Sequence, residues 1–324
     1  MLITGGGGFI GSHLVEDQLK RGREVTAVDL KLESIRHLAA DSKLKLLQGD
    51  FTDRAFLDPY LDGLDICFHL ASAHLETGVE DEYFWQLNVQ GARDLVERCH
   101  FAGVRRFVHC SSVGVFGNLK NPPADEESEC NPDLAYEKSK LAGEKAVLDY
   151  AREHGVELVV IRPAWVYGPR CPRTEKLFNT IEKRRFFFVG NGNTLRHPIY
   201  IDDMVQGFEI AATNDRAAGE IFIMAGPRAV PLIELASEIA GVVGAPSPAL
   251  KLPKALVWAG CYALETGFSL IGREAPFTRR SMKFFTGNTS FCTKKAEQLL
   301  GFRAVTDLPE GVRKTRQWLL ESEL

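Results

Sequence analysis

The chain has 324 residues, 45% hydrophobic and 25% charged, and its 39 basic and 43 acidic side chains give a formal net charge of −4. Without an excess of positive charge there is no field to hold a phosphate backbone, so nucleic acid is not an expected partner. Seven cysteines, odd in number and without a C-x-x-C pair, point away from disulfides and bound metal and toward reduced thiols, hence a cytoplasmic location.

Met1-Leu-Ile-Thr4 runs directly into glycines, with no charged-then-apolar leader. Apolar or β-branched runs at Met1–Thr4, Glu24–Leu30, Leu44–Gln48, Ile66–Leu70, Arg106–Cys110 and Glu157–Arg162 predict strands. Helical patterns over Gly11–Arg21, Glu80–Ala102 and Ala135–His154 lie between them. Strand-helix alternation requires crossover connections, and bare apolar strands such as Leu158–Ile161 must be covered on both faces. The expected fold class is α/β, a doubly wound parallel sheet of the Rossmann type over residues 1–165. Beyond Trp165, Pro169, Pro172 and the Gly190–Gly192 turn break the regularity. A β-α pattern at Pro198–Thr213 and a strand at Glu220–Met224 are expected to return residues 198–224 to the first domain. The remainder of 166–324 forms a smaller, partly interleaved substrate domain that ends in a helix near Leu308–Leu320. The apolar stretch Leu252–Gly272, interrupted by Pro253, Lys254 and Glu265, suits a helix that packs in the core, lids a pocket or touches a membrane surface. Membrane contact is not the expected reading.

Two motifs carry chemistry. Thr4-Gly-Gly-Gly-Gly-Phe-Ile-Gly11 joins the first strand to the first helix, with Gly5, Gly8 and Gly11 in G-x-x-G-x-x-G spacing. Such a turn brings backbone amides and a helix N-terminus against a pyrophosphate. Asp29 ends the second strand, 18 residues after Gly11, where a carboxylate accepts from the adenosine ribose and repels a 2′-phosphate. This favours NAD over NADP, although Lys31 and Arg36 nearby keep NADP open. The second motif, Tyr136 and Lys140, places a phenol and an ammonium on one helix face. By itself that pair is a common surface feature.

Together these motifs resemble an extended short-chain dehydrogenase/reductase of the NAD-dependent epimerase/dehydratase type. Also in order are Gly49-Asp50, His69-Leu70-Ala71, Asn88-Val-Gln-Gly, Ser111-Ser112-Val-Gly-Val-Phe-Gly and Arg162-Pro-Ala-Trp-Val-Tyr-Gly-Pro169. The resemblance implies a homodimer paired through Glu80–Ala102 and Ala135–His154. It implies NAD held by Gly5, Gly8, Phe9, Ile10, Gly11 and Asp29, with Asp50 and Phe51 at the adenine. Leu70, Ala71, Asn88, Pro163 and Val166 would line the rest, and Lys140 would hold ribose hydroxyls. Tyr136 would exchange a proton with a secondary alcohol, its pKa lowered by Lys140 and the oxidised nicotinamide nearby, while Ser112 donates to the same oxygen. A catalytically inactive NAD-binding regulator would be expected to lack part of this set.

Val113-Gly114 stands where 4,6-dehydratases of the family carry Asp-Glu, which disfavours elimination. Two small-molecule substrate classes remain. The segment Gly190–Asp203 resembles the one where nucleotide-sugar enzymes place an arginine, here Arg196, on the substrate diphosphate; His197-Pro198 departs from the usual neighbours, so a structural cap is the alternative. Leu252–Gly272, Ala275–Arg280 and Phe291–Phe302 instead resemble 3β-hydroxysteroid and sterol-4-carboxylate dehydrogenases, whose substrates are hydrophobic alcohols or ketones.

Overall fold

A computed structural model describes residues 1–73, 80–270 and 282–322 of the chain. The Ala275–Arg280 segment lies outside the described residues. In chain order the strands are β1 (Leu2–Thr4), β2 (Val25–Asp29), β3 (Leu44–Gln48), β4 (Ile66–His69), β5 (Arg106–Cys110), β6 (Glu157–Pro163), β7 (Trp165–Tyr167), β8 (Phe188–Val189), β9 (Leu195–Arg196), β10 (Pro198–Tyr200), β11 (Ile221–Met224), β12 (Val230–Pro231) and β13 (Lys251–Leu252). The helices are α1 (Phe9–Lys20), α2 (Arg54–Leu57), α3 (Asp81–Trp85), α4 (Ala92–Phe101), α5 (Ala135–His154), α6 (Pro172–Glu182), α7 (Ile201–Thr213), α8 (Leu232–Val243), α9 (Lys254–Leu270), α10 (Lys283–Thr286) and α11 (Leu308–Ser322).

Seven strands form one parallel sheet in the order β11-β6-β5-β4-β1-β2-β3. Strand β1 lies inside it, where Ile3 pairs with Ala27 of β2 on one side and Phe68 of β4 on the other. Side chains alternate between the two faces. Val159 and Ile161 of β6 enter one apolar cluster with α1 and α7, while Leu158 and Val160 enter the other with α4 and α5. The doubly wound reading is therefore correct, and the sequence showed no polar face because neither face of the sheet meets water.

The Glu80–Ala102 pattern is not one continuous helix. A π-helical turn, Gln86–Gly91, separates α3 from α4. Such a turn inserts an extra residue and re-aims a side chain, here Asn88. Downstream, β11 joins the large sheet beside β6, whereas β10 pairs with β7 in a separate two-stranded sheet. Short pairs β12–β9 and β13–β8 organise the C-terminal half. The carboxyl ends of β1, β4 and β5 and the start of α5 meet at one edge, and that edge is the site.

Candidate active site

Gly5 follows β1 with φ of 73°, and a Cβ on it would lie 2.6 Å from the Ala71 nitrogen. The loops after β1 and β4 thus touch across a bare α-carbon, a contact no other residue type allows. The Gly5 N–H donates to Val28 O at 2.8 Å, and the Gly8 N–H donates to Gly5 O at 3.0 Å. Phe9, Ile10 and Gly11 form the first turn of α1, where backbone amides have no carbonyl partner within the helix. Asp29 ends β2, half-buried, and accepts from the N–H of Gly7 at 3.0 Å and of Lys31 at 3.1 Å. Two bonds leave acceptor capacity on the carboxylate. An open cradle, a helix N-terminus and a carboxylate at the next strand end fit the pyrophosphate and adenosine ribose of a dinucleotide.

Asp50 is exposed and accepts from the Thr52 N–H and hydroxyl, both at 2.8 Å. Phe51 is buried with its ring 5.1 Å from that of His69. After β4, the Leu70 N–H donates to Thr4 O at 3.0 Å and the Ala71 N–H reaches Thr4 Oγ1 at 3.4 Å. Asn88 is buried and bonded on all sides: its Oδ1 accepts from the Ala73 N–H, and its Nδ2 donates to Ala73 O and Ser139 Oγ. It ties the loop after β4 to α5 and so shapes the cofactor-side wall. Pro163 lies buried beside Met224, and half-buried Val166 lies beside Ile199, on the strands continuing from that wall.

The chain brings Ser112, Tyr136 and Lys140 together. Ser112 caps a short 3₁₀ turn by accepting from the Gly114 N–H at 3.0 Å, and its hydroxyl faces the Tyr136 phenol closely enough to favour the anion. Lys140, one turn along α5, is buried, and its Nζ donates to Cys110 O at 2.6 Å. Burial lowers the Lys140 pKa and raises that of Tyr136, against the Arg173 charge and the nearby Ser112 hydroxyl. Lys140 alone therefore does not lower the Tyr136 pKa; the expectation also rested on the charge of the oxidised nicotinamide. Desolvation outweighs the lysine, which is turned to a β5 carbonyl. Beneath the site His69 is buried with its Nδ1 2.8 Å from Thr4 Oγ1, and burial pushes its pKa down to about 3.

A buried group unmarked by the motif reading backs the trio. Ser111 Oγ donates to Glu144 Oε2 at 2.6 Å, and Arg162 binds both Glu144 oxygens through Nε at 3.1 Å and Nη2 at 2.5 Å. The signal was the four-residue step itself: Glu144 continues the Tyr136–Lys140 stripe by one more turn.

Arg196 is also buried. Its Nη1 donates to Gly287 O at 2.5 Å and Leu195 O at 3.1 Å, its Nη2 to Phe284 O, and its guanidinium stacks 5.0 Å over the Phe284 ring. These contacts hold residues 284–289 against β9. The nearest acid to Gly114 is Glu137, whose carboxylate accepts from the N–H groups of Asp133 and Leu134 at 3.3 Å and so caps α5.

A model of the NAD dependent epimerase/dehydratase family matches residues 1–225. The mouse sterol-4-alpha-carboxylate 3-dehydrogenase (decarboxylating) is 27% identical over 330 residues, covering 97% of this chain and 89% of that enzyme. N-acetyl-alpha-D-glucosaminyl-diphospho-ditrans,octacis-undecaprenol 4-epimerase of Escherichia coli O157:H7 is 25% identical over 322 residues, covering 98% and 94%. Among solved structures, MoeE5 in complex with UDP-glucose and NAD superposes with a TM-score of 0.77 at 27% identity, covering 100% of this chain and 99% of that one.

Proposed function

The chain belongs to the NAD-dependent epimerase/dehydratase family, and from that premise we propose that it interconverts a secondary alcohol and its ketone in the manner of a nucleotide-sugar epimerase, with Tyr136 as proton carrier. It is an NAD-dependent enzyme. Bound NAD supplies hydride acceptance and return at nicotinamide C4. The observation that carries the reading is the convergence of the Ser112 hydroxyl and the Tyr136 phenol at the sheet edge, with Lys140 one turn below.

Two hydroxyls so placed can converge on one substrate oxygen. During oxidation Tyr136 takes the alcohol proton, and during reduction it returns one to the carbonyl oxygen, while Ser112 donates to that oxygen as charge develops. Lys140 orients α5 against β5 and presents positive charge from below. Val113-Gly114 offers no acid for elimination, and Glu137 is engaged as a cap, which supports epimerisation or plain oxidoreduction over dehydration. The diphospho-sugar relatives support a substrate of that class. The second reading, a hydrophobic secondary alcohol, is favoured by the engagement of Arg196 with backbone carbonyls and by the apolar surface of α9.

The same reading includes a cytoplasmic homodimer. Free thiols at all seven cysteines support the compartment. Exposed Trp85, which ends α3, and Phe101, which ends α4, support pairing through those helices. Light scattering should return twice the 36.0 kDa chain mass; a monomer at micromolar concentration would refute the pairing. For the reaction, UDP-glucose and UDP-galactose should interconvert with no net NADH. Steady NADH production from a 3β-hydroxysterol, with both UDP-sugars inert, would decide for the second reading.

A further inference from the structure

Helix α9 wears its apolar side outward. An ordinary surface helix buries an apolar stripe and shows charge to water. Here Val257 and Cys261 already supply the buried stripe, yet from Ala255 to Gly267 the one charged side chain is the half-buried Glu265. Leu256 is 61% exposed, Trp258 52%, Tyr262 54% and Leu264 41%, and the Trp258 and Tyr262 rings stack at 6.1 Å. With Leu250, these make five of the ten large apolar side chains that stand exposed among the described residues. Chance scatter does not produce that concentration in fifteen consecutive positions.

Charge stands at one end of the same helix. Lys251 of β13, three residues before α9, and Lys254, which opens it, are both exposed. Among the described residues, no carboxylate comes within ion-pair distance of either. An indole and a phenol beside aliphatic side chains, bordered by unpaired cations, match the boundary between acyl chains and anionic headgroups. A second copy of the chain would not explain the cations, because like charges would approach across a two-fold axis. No described helix is long and apolar enough to cross a membrane, and the 17 residues of α9 fit a helix lying in the surface plane.

We propose that α9 is a membrane-docking helix that seats the C-terminal half of the protein on an anionic phospholipid surface. This goes beyond the assignment of the reaction and does not depend on which alcohol is the substrate. The test is flotation of the full chain with vesicles of phosphatidylcholine alone or mixed equally with phosphatidylglycerol. The protein should float with the mixed vesicles, less with the neutral ones, and less again as salt rises. Trp258→Ser combined with Tyr262→Ser should weaken partitioning about tenfold or more. Lys251→Glu with Lys254→Glu should remove the preference for anionic lipid. Both variants should keep the NAD-induced rise in melting temperature, since neither touches the cofactor site. Failure of the parent chain to float with mixed vesicles would overturn the proposal. So would a double aromatic variant that floats like the parent, or one whose main change is a halved mass in light scattering, which would assign the face to a second copy.

Discussion

Arg196→Ala separates the two substrate readings, because the guanidinium either grips a diphosphate or holds the protein together. In the structure it donates to the carbonyls of Gly287, Leu195 and Phe284. Removing the two stronger bonds, each from a charged donor, costs about 3–6 kcal/mol. Against this, burial pushes the Arg196 pKa from 12.5 down to about 10, a desolvation cost of about 3 kcal/mol that alanine relieves. The net loss is then about 0–3 kcal/mol, a drop of up to several degrees in melting temperature for a chain of this size. Arg196→Lys should recover only part of it, because one ammonium cannot reproduce the forked contact. Thermal melts with and without UDP read both roles at once. A holding role predicts a lower melting temperature in every condition and an unchanged UDP increment. An alanine variant that melts like the parent and loses its response to UDP would refute the reasoning and make Arg196 a ligand.

Tyr136→Phe should bind NAD normally and lose roughly a thousandfold in turnover; Ser112→Ala should lose roughly tenfold to a hundredfold, since the proton carrier remains. Equal activity in Tyr136→Phe would remove the phenol from the chemistry. Asp29→Ala should weaken NAD by about tenfold and narrow its advantage over NADP in isothermal titration, because the carboxylate that meets the ribose is gone; unchanged selectivity would place discrimination elsewhere. His69 predicts acid lability: its folded pKa is depressed from 6.5 to about 3. The unfolded chain therefore takes a proton that the native chain refuses, and stability is lost as pH falls below 6.5. By about pH 4.5 this amounts to about 2–3 kcal/mol, and denaturant titrations of His69→Gln should show a flatter slope over that range.

The strands were legible because burial on both faces left unbroken apolar runs, and α5 because its 20 residues contain no proline and Gly155 ends it. The π-turn at Gln86–Gly91 was not, since nothing in a helical pattern marks one extra residue; its cause is tertiary, the bonding of Asn88 to Ala73 and Ser139. One trace existed. Gly143, mid-helix, would put a Cβ 1.9 Å from Asn88 O, so a helix-weakening residue marked the close approach of the two segments. Ser112 and Tyr136 were legible as hydroxyls that can converge, although 24 positions separate them. The burial of Tyr136 was not legible: spacing reports neighbours on a helix and says nothing about what the surrounding elements desolvate.

That burial bears on how the site works. Two turns of α5 grip the end of β5: Lys140 through Cys110 O, and Glu144 through Ser111 Oγ. The next residue is Ser112, so the phenol-to-serine contact is set by a clamp of two bonds rather than by free rotamers. Within that clamp burial favours the neutral phenol, while Arg173 and the Ser112 hydroxyl pull toward the anion without prevailing. A protonated Tyr136 suits carbonyl reduction directly, but alcohol oxidation needs a further positive charge near the ring, and oxidised nicotinamide carries one. Oxidation should therefore acquire its base only in the NAD complex, which ties proton transfer to the presence of a hydride acceptor. Replacing Glu144 by Gln tests the clamp. It retains the shape but leaves Arg162 buried without its carboxylate partner, and it should lower kcat more than it raises the KM for NAD, since the glycine loop and Asp29 stand apart from the clamp. Equal changes in both constants would mean that Glu144 serves the fold alone.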